Sequence, residues 1–563
     1  MDLWKALSLL AVSVVVAVAL TAAGIAAPAA AQDPPRLPDE VRELMAELEG
    51  VSVVADDADV SPPQQRPDPG APVNVLRAAL ADLDDLAAAS TPRSERPLRS
   101  ALRHLESGWQ TFSAGSDDLS HLGATADALH RAQLDLAAAE RLADRATQAR
   151  IADLRSRLAG ASARMAGAVL QRALAVQSQP GRLTAAQQRH RLAELALGRG
   201  DYALASAHFG GALKLAANTV KFDVALFEQN IKDALASQTV GHAFSIAYKG
   251  QLYQGGESAG LARTAADAPQ TSQSPAKAMH VASVSKPLTT IVTLRALQAK
   301  GLTPDALVAP YLPGNWIRGA GVNSLTFRDF LTHQSGFGQI GAGSSYNDLR
   351  TAIATPVGSK SFSYSNANFG LMRVLLHRLI AGWDPAAFWP VLDPDNVTTA
   401  TFLTVAQSLF SSVDVDVDCR STDAAPTIQY NLPHGGMSGY LEPDRRKQCG
   451  GFGWFISSND LAAVLANLRL SENLLSAPMR SAMESGFLGY MDPLNYGWIG
   501  GDFGTYYMHG GDWFHSSGEA HTCAVAFPIQ VQVGLVINSE RGAAMPYQCV
   551  VLQDAFDDAW VAN

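Results

Sequence analysis

Residues 76–236 constrain the fold most, because their composition permits little except α-helix. The stretch is rich in Ala, Leu, Arg and Gln and has scarcely any strand-like alternation. Apolar residues recur along it at the spacing of one helical face, namely at Leu154, Leu158, Met165, Val169 and Leu174. We therefore predict an all-α domain over residues 76–236.

One part of this region has the pattern of a helical repeat. Small and aromatic residues stand at the spacing of the second half of a tetratricopeptide-like hairpin, at Gly200, Tyr202, Ala205, Phe209 and Ala212. Only one copy is visible, and a lone repeat cannot bury its own face. A helical hairpin packed within a bundle is therefore favoured over a peptide-binding solenoid, and a protein partner for this region remains an open expectation.

Around residue 240 the pattern changes to mixed strands and helices. Residues 243–248 and 251–253 predict a hairpin across Lys249-Gly250. A chain of 563 residues exceeds the size at which one core stops growing. We predict a second domain over residues 240–563. Residues 32–75, rich in Pro and Asp, are expected to form a disordered linker before the helical domain.

The first 31 residues resemble a secretory signal peptide. Lys5 precedes an apolar stretch, and Ala29-Ala30-Ala31 supplies an A-x-A cleavage site. The alternative is an uncleaved membrane anchor through residues 6–28, because that stretch is long enough to span a bilayer. Both interpretations place the protein outside the cytoplasm, as a periplasmic, secreted or cell-envelope protein.

All four cysteines fall in the last third of the chain. An even count in an exported protein indicates disulfides, with three possible connectivities. We predict that Cys419 pairs with Cys449 and Cys523 with Cys549, and the alternative is four buried thiols.

Charge and metal-ligand patterns exclude several functions. The net charge of -10 comes without a long basic run, which argues against a nucleic-acid partner. Asp414, Asp416 and Asp418 alternate with valines, but a calcium loop would also contain a glycine and a terminal glutamate. An exposed strand edge is favoured there. We predict neither a metal nor a cofactor.

The first candidate catalytic motif is Ser283-Val284-Ser285-Lys286-Pro287. Residues 287–298 are helical in pattern, and proline is tolerated in the first turn of a helix. Ser283 is therefore expected near a helix N-terminus, where backbone N–H groups can stabilise an oxyanion. Residues three apart share a helix face, so the Lys286 amine can approach the Ser283 hydroxyl.

Two further motifs follow. Tyr364 and Asn366 stand two residues apart before a helical stretch, and His509-Gly510-Gly511-Asp512 precedes a predicted strand at residues 532–537. Alone, the first could be turn chemistry. The glycines of the second permit close backbone approach to a ligand.

Together and in this order, the three motifs resemble those of the class C β-lactamase and serine penicillin-recognising family, which includes D-alanyl-D-alanine carboxypeptidases, D-aminopeptidases and esterases. Further matches are Tyr311-Leu312-Pro313, Thr332-His333-Gln334-Ser335-Gly336, and Gly450-Gly451-Phe452 leading to Ser457-Ser458-Asn459-Asp460-Leu461. The resemblance covers essentially all of residues 240–563. It implies an α/β (α+β) domain of the β-lactamase/transpeptidase type, with an antiparallel sheet flanked by helices.

The resemblance also implies roles for individual residues. Ser283 would form an acyl-enzyme, Lys286 and Tyr364 would move its proton, and Asn366 would orient substrate and Lys286. The backbone N–H groups of Ser283 and Asp512 would form the oxyanion hole. His509 would support Tyr364 or bind substrate, beside Gly511. His280 and His333 are interpreted as structural.

Departures from the family pattern bear on the substrate. His509-Gly510-Gly511 stands where many penicillin-binding proteins and lactamases have Lys-Thr-Gly or Lys-Ser-Gly, and Asp512 is expected to add negative charge at the acyl site. An esterase or D-peptidase-like enzyme is therefore favoured over a true β-lactamase. A catalytically idle, penicillin-binding-like scaffold of the cell envelope is the alternative. The insertion at residues 384–440 is expected to be a lid or pocket wall, and its aromatics, Phe388, Trp389, Phe402 and Phe410, are expected in the core.

Overall fold

The computed structural model describes residues 36–51, 68, 70–116, 119–177, 179–337, 343–388, 391–433, 436–492 and 501–563. The predicted signal or anchor segment, residues 1–31, lies outside them. In this described part of the chain, no helix is both long and apolar enough to cross a membrane.

Among the described residues, seven α-helices precede the first strand. They are α1 (Asp39–Glu47), α2 (Pro72–Ala89), α3 (Pro92–Ala114), α4 (Ser120–Glu140), α5 (Arg145–Ala175), α6 (Pro180–Gly198) and α7 (Tyr202–Ala217). Asp144 and Asp201 cap the N-termini of α5 and α7 by accepting backbone N–H bonds. Helices α6 and α7 form a hairpin, and α7 also packs on α4 and α5. The hairpin thus lies within a bundle, with Phe209 fully buried.

Helix α1 corrects part of the linker prediction. Residues 39–47 lie inside the segment for which we predict disorder, yet they form a helix whose Val41 and the following Leu48 are buried with Ala400. Glu47 accepts a hydrogen bond from the buried Arg446. The Pro- and Asp-rich composition of residues 32–75 conceals this short apolar face, which becomes stable only against a distant part of the chain.

The remaining elements build a mixed α and β structure. They are β1 (Val220–Phe222), α8 (Val224–Leu235), β2 (Gly241–Tyr248), β3 (Gln251–Leu252), β4 (Glu257–Arg263), β5 (Thr271–Ser272), β6 (Met279–His280), α9 (Ser285–Ala299), α10 (Phe327–Leu331), α11 (Tyr346–Ala354), α12 (Asn366–Ala381), α13 (Pro394–Ser411), β7 (Phe455–Ile456), α14 (Ser458–Leu470), α15 (Ala477–Ser485), β8 (Tyr507–His515), β9 (Gly518–Phe527), β10 (Val531–Ile537), α16 (Gln548–Asp557) and β11 (Trp560–Ala562).

The main sheet is antiparallel, with strand order β5-β4-β2-β10-β9-β8 and β3 paired to β2. The predicted hairpin at residues 243–253 is confirmed by β2 and β3. Gly510 on β8 faces Tyr547 at the start of α16, whereas Gly534 on β10 faces Leu461 of α14. Helices therefore cover both faces, as expected. Strand β8 is the edge strand that lies beside residues 281–284, the turn that contains Ser283, which we name the nucleophile turn.

The helical region packs directly against the sheet region. Arg164 of α5 pairs with Asp502, and the Arg172 guanidinium donates to the Trp560 carbonyl oxygen at 2.9 Å. Strand β1, directly after the bundle, pairs antiparallel with β11, so that Val220 lies opposite Ala562. The two regions consequently share one continuous apolar core.

Both predicted disulfides are confirmed. Cys419 is bonded to Cys449, and Cys523 on β9 to Cys549 on α16. The alternative of buried free thiols is therefore wrong.

The insertion at residues 384–440 contains helix α13, whose 18 residues are about a third of its length. Phe402 and Phe410 are fully buried against Trp454, as predicted for core aromatics, while Trp389 lies outside the described residues. The strand edge predicted at residues 414–418 is not formed apart from one bridge at Asp418, whose side chain is bonded to the Cys419 N–H and is largely buried. The described residues contain no group of three or more His, Cys, Asp or Glu that could hold a metal ion.

Candidate active site

Ser283 lies in a single 3₁₀ turn, Ala282–Val284, immediately before α9. The helix begins at Ser285, so the prediction that Ser283 is near a helix N-terminus agrees with the structure. Ala282 has a φ of 45°, a conformation that L-residues other than glycine rarely adopt. Such a strained residue persists only where the surrounding structure holds it, and here it directly precedes the candidate nucleophile.

Lys286 is fully buried beneath Ser283. Its Nζ lies 3.0 Å from Ser283 Oγ, 2.8 Å from Asn366 Oδ1 and 2.8 Å from the Gly451 carbonyl oxygen. A lysine ammonium has three N–H donors and no acceptor. Three acceptors at hydrogen-bond distance therefore match a charged amine and compensate its removal from water.

Tyr364 contacts the same hydroxyl from the other side. Its phenol oxygen lies 2.5 Å from Ser283 Oγ, and Lys286 Nζ lies 4.5 Å from the centroid of its ring. The next residue, Ser365, caps α12 by accepting the Ala367 N–H, and Asn366 is the first helical residue. The end of an extended segment and the start of a helix thus deliver Tyr364 and Asn366 to one point.

His333 is a neighbour of the site that we interpreted as purely structural. Its ring centroid lies 4.4 Å from that of Tyr364, and its Nδ1 accepts the Ser365 N–H at 3.2 Å. Burial, together with the nearby Lys286 charge, lowers the pKa of His333 well below its usual value. A neutral imidazole therefore supports the phenol ring. The match of Thr332-His333-Gln334-Ser335-Gly336 to a family segment is the sequence feature that points to this position. It does not indicate which side chain His333 contacts.

His509 is buried on β8. Its Nδ1 lies 2.6 Å from the Gly510 carbonyl oxygen, and this geometry makes Nδ1 the protonated nitrogen, because a carbonyl oxygen can only accept. Burial, and then the positive charge of Lys286, lower the pKa of His509 to about 3. The imidazole is therefore uncharged at neutral pH.

Gly511 brings strand β8 against the nucleophile turn. A Cβ at this position would lie 2.5 Å from the Val281 carbonyl oxygen and 3.1 Å from the Ser283 nitrogen. Thr522, opposite Gly511 on β9, donates its hydroxyl to the same Val281 carbonyl oxygen at 2.8 Å. Only a residue without a side chain allows this approach.

The Asp512 carboxylate corrects an expectation about charge. We predict it at the acyl site, but side chains alternate across a strand, and this one lies on the opposite face, towards α16. There Asp512 Oδ1 accepts from His521 Nδ1 at 2.6 Å and from Gln548 Nε2 at 3.1 Å. The carboxylate thus adds no charge beside Ser283, and only the backbone of Asp512 can take part there.

The site as a whole places a serine hydroxyl between a phenol and a buried amine, at a helix N-terminus and against a glycine-containing edge strand. Nucleophile and base within hydrogen-bond reach, with the base oriented by a third group, are the requirements for covalent acyl transfer. Tyr364 is the candidate base, and the third group is Lys286, whose Nζ lies over the Tyr364 ring and is held by Asn366 Oδ1 at 2.8 Å.

Comparisons with known proteins identify the family of the chain. A family profile described as Beta-lactamase matches residues 227–551, more than half of the 563-residue chain. Among solved structures, the octameric penicillin-binding protein homologue from Pyrococcus abyssi is 16% identical, covers 59% of this chain and 76% of its own, and has a TM-score of 0.43. For the D-stereospecific amidohydrolase from Streptomyces sp. the identity is 16%, the coverage 59% and 98%, and the TM-score 0.41. For the beta-lactamase/D-alanine carboxypeptidase from Yersinia pestis these values are 16%, 60% and 98%, and 0.42. No protein with a curated description matches the sequence.

Proposed function

The chain belongs to the Beta-lactamase family, and from this premise we propose that it is an exported serine hydrolase acting through an acyl-enzyme on Ser283. The observation that carries the proposal is the position of Ser283 Oγ, 2.5 Å from the Tyr364 hydroxyl and 3.0 Å from Lys286 Nζ. A serine hydroxyl is a poor nucleophile without an adjacent base. Tyr364 can accept the proton as a phenolate, and the Lys286 ammonium, which has no acceptor lone pair, stabilises that phenolate.

In the first half-reaction Tyr364 acts as a phenolate. The Ser283 oxygen attacks the substrate carbonyl carbon, and the hydroxyl proton passes to the Tyr364 oxygen, which becomes a neutral phenol. The buried Lys286 ammonium stabilises negative charge on the phenol oxygen by Coulomb attraction. The bond to the leaving group then breaks, and the same proton goes to the departing alcohol or amine. In the second half-reaction water attacks the acyl-enzyme with Tyr364 again taking the proton, and Ser283 is regenerated.

The oxyanion formed in each half-reaction is stabilised by the backbone N–H groups of Ser283 and Asp512. Preorganised donors of this kind contribute a factor of roughly 10² to 10³ in rate each. Gly511 lies close to the Ser283 nitrogen, which brings the two backbone segments into van der Waals contact. This supports the assignment of the Ser283 and Asp512 N–H groups to one oxyanion hole.

The favoured substrates are esters or D-amino-acid peptides. The support for this comes from His509, which stands where many lactamases and penicillin-binding proteins have a lysine and which burial keeps uncharged. A neutral imidazole offers less attraction to a substrate carboxylate than an ammonium would. The negative charge that we expected from Asp512 plays no part in this preference, since that carboxylate lies on the other face of the strand.

Export is supported by two observations. The A-x-A site after the apolar stretch of residues 6–27 is typical of a cleaved signal peptide. Both disulfides also suit an oxidising compartment, since such bonds are rare in reducing cytosol. An uncleaved anchor through residues 6–28 would keep the protein at the cell envelope.

The test is intact-mass analysis after reaction with a fluorophosphonate probe. Wild type should gain one phosphonyl adduct, and Ser283→Ala, with an unchanged melting curve, should gain none. A folded wild type without an adduct would contradict the proposal and favour the scaffold alternative. A panel of p-nitrophenyl esters, D-Ala-D-Ala peptides and a chromogenic cephalosporin then identifies the bond that is cleaved, and cephalosporin as the best substrate would refute the stated preference.

A further inference from the structure

A buried polar cluster lies on the face of strand β8 that points away from Ser283. It consists of Asp512 on β8, Glu519 and His521 on β9, and Gln548 at the start of α16. His521 donates Nδ1–H to Asp512 at 2.6 Å, and its Nε2 lies 2.9 Å from a Glu519 carboxylate oxygen. The side chains of these residues take no part in the acyl transfer proposed above, and polar side chains in the interior require a reason.

Gln548 connects this cluster to the backbone of β8. The side chain is fully buried, and its Nε2 lies 3.1 Å from the Gly511 carbonyl oxygen, 3.1 Å from Asp512 Oδ1 and 3.2 Å from the Thr522 carbonyl oxygen. One nitrogen therefore reaches both carbonyls of the cross-strand pair Gly511–Thr522. In an antiparallel sheet, directly opposed residues alternate between hydrogen-bonded pairs, whose C=O groups point towards the partner strand, and non-hydrogen-bonded pairs, whose C=O groups point away from it. One nitrogen can reach both carbonyl oxygens only in a hydrogen-bonded pair. The Gly511 C=O therefore points towards β9.

The direction of the Gly511 carbonyl determines the direction of the next N–H. The peptide unit is planar and trans, so the Asp512 N–H points opposite to the Gly511 C=O. Because that C=O points towards β9, the N–H points out of the open edge of β8. On that side lies the nucleophile turn, with the Ser283 nitrogen 3.1 Å from the place that a Gly511 Cβ would occupy.

We infer that Gln548 is a positioning residue, which fixes the Gly511–Asp512 peptide so that its N–H serves as the second oxyanion donor. The inference rests on the proposed acyl transfer. Asp512 completes the arrangement, because its carboxylate accepts from Gln548 and from His521 and so holds the amide in place. The same residue thereby supplies a backbone donor on one face and an anchoring side chain on the other.

The contact with Gln548 preorganises the oxyanion donor. An edge strand has one paired neighbour, so hydrogen bonds to a neighbouring strand hold its peptide groups from one side only. Gln548 provides a second contact from within the core, where it competes with no solvent. An oxyanion donor is effective only when it is oriented before the charge develops.

The test compares Gln548→Met with Gln532→Met. Gln532 on β10 is equally buried in the same sheet, and its side-chain amide has no hydrogen-bond partner among the described residues, so its replacement removes a buried amide without touching Gly511. With the p-nitrophenyl ester that wild type hydrolyses best, Gln548→Met should lower kcat by about 10-fold or more with KM little changed, because the lost interaction acts in the transition state. Gln532→Met should retain the wild-type kcat.

A second readout separates positioning from general damage. The carbonyl stretching frequency of the trapped acyl-enzyme, measured by infrared difference spectroscopy, should shift upwards in Gln548→Met, because a misaligned donor polarises the carbonyl less. If Gln548→Met does not fold, Gln548→Asn, which keeps the amide but withdraws it by one methylene, takes its place with the same expectation. An unchanged kcat and frequency would overturn the inference alone, whereas a wild type that forms no acyl-enzyme would overturn the proposed function and this inference with it.

Discussion

Replacement of Gly511 by alanine gives the sharpest test of how the site is assembled. The added methyl carbon would lie 2.4 Å from Thr522 Oγ1 and 2.5 Å from the Val281 carbonyl oxygen, whereas ordinary van der Waals contact begins near 3.4 Å. Strand and nucleophile turn must therefore separate by up to about 1 Å to admit the methyl group. Val281 is two residues before Ser283, so the displacement reaches the nucleophile.

The expected size of the effect follows from this distance. A misplacement of about 1 Å in a catalytic arrangement costs on the order of 10²-fold in rate. Overpacking of a tight interior costs about 1–3 kcal/mol of stability, which leaves most domains of this size folded. Gly511→Ala should thus remain folded and lose about two orders of magnitude in its rate of acylation.

Gly534→Ala is the matched control. Gly534 lies on β10 in the same sheet, and a Cβ there would be equally crowded, 2.6 Å from Leu461 Cβ and 2.7 Å from the Ser458 carbonyl oxygen. Its neighbours belong to α14 and not to the nucleophile turn. We expect a similar fall in melting temperature for both variants, with the acylation rate reduced in Gly511→Ala alone.

The assay is the second-order rate constant for fluorophosphonate labelling, measured beside thermal unfolding. If Gly511→Ala labels as fast as Gly534→Ala, then strand β8 does not position the nucleophile turn, and the reasoning from contact distances fails.

Further predictions concern single groups. Lys286→Met should abolish acyl-enzyme formation in intact-mass analysis yet leave the melting temperature close to wild type. The gain in stability from removing a buried charge offsets the cost of leaving the Asn366 and Gly451 oxygens without a donor. A variant that does not fold would make Lys286 structural. Tyr364→Phe should slow ester turnover by about 10²- to 10⁴-fold without changing the fold seen by circular dichroism, and an unchanged rate would exclude the phenol as the base. Burial lowers the pKa of His377 to about 3. The stability that depends on a neutral His377 is therefore present above the unfolded pKa and is lost as pH falls from about 6.5. Between pH 6 and 4 the unfolding free energy of His377→Gln should fall less steeply than that of wild type, by about 1 kcal/mol per pH unit, and equal slopes in urea titrations would contradict this. Replacing Cys419 and Cys449 by serine should lower the unfolding free energy by about 3–4 kcal/mol in the chain-entropy account, because the bond spans 30 residues; a change below about 1 kcal/mol would refute that account here.

The local motifs of the site could be predicted from the sequence because their geometry is local. Ser283 and Lys286 are three residues apart at a helix start, and Tyr364 and Asn366 are two apart at another, so helix periodicity and capping rules suffice. The contact between these two pairs came from the resemblance to a known family, since no local rule brings together segments about eighty residues apart.

Four outcomes depended on tertiary structure. The face of β8 on which the Asp512 carboxylate lies depends on which residues of the strand point to which side. The two glycines before Asp512 have no side chains, so the motif does not reveal this alternation. His333 reaches Tyr364 and Gln548 reaches Gly511 across large sequence separations, and neither side chain has a periodic pattern around it. Helix α1 has its buried face only because Ala400 and Arg446 meet it from the far side of the chain.

The pairing of β1 with β11 sets an order of events during synthesis. Val220 directly follows the helical bundle, but its partner Ala562 is made about 340 residues later. At translation rates of roughly 5–20 residues per second, β1 waits roughly 20 to 70 seconds for that partner. The bundle can fold in this interval, whereas its attachment to the sheet cannot be completed until residues 560–562 exist. Pairing of β11 with β1 thus requires that residues 240–559 have already been made, and a ribosome that stalls before β11 leaves a bundle whose junction with the sheet stays open.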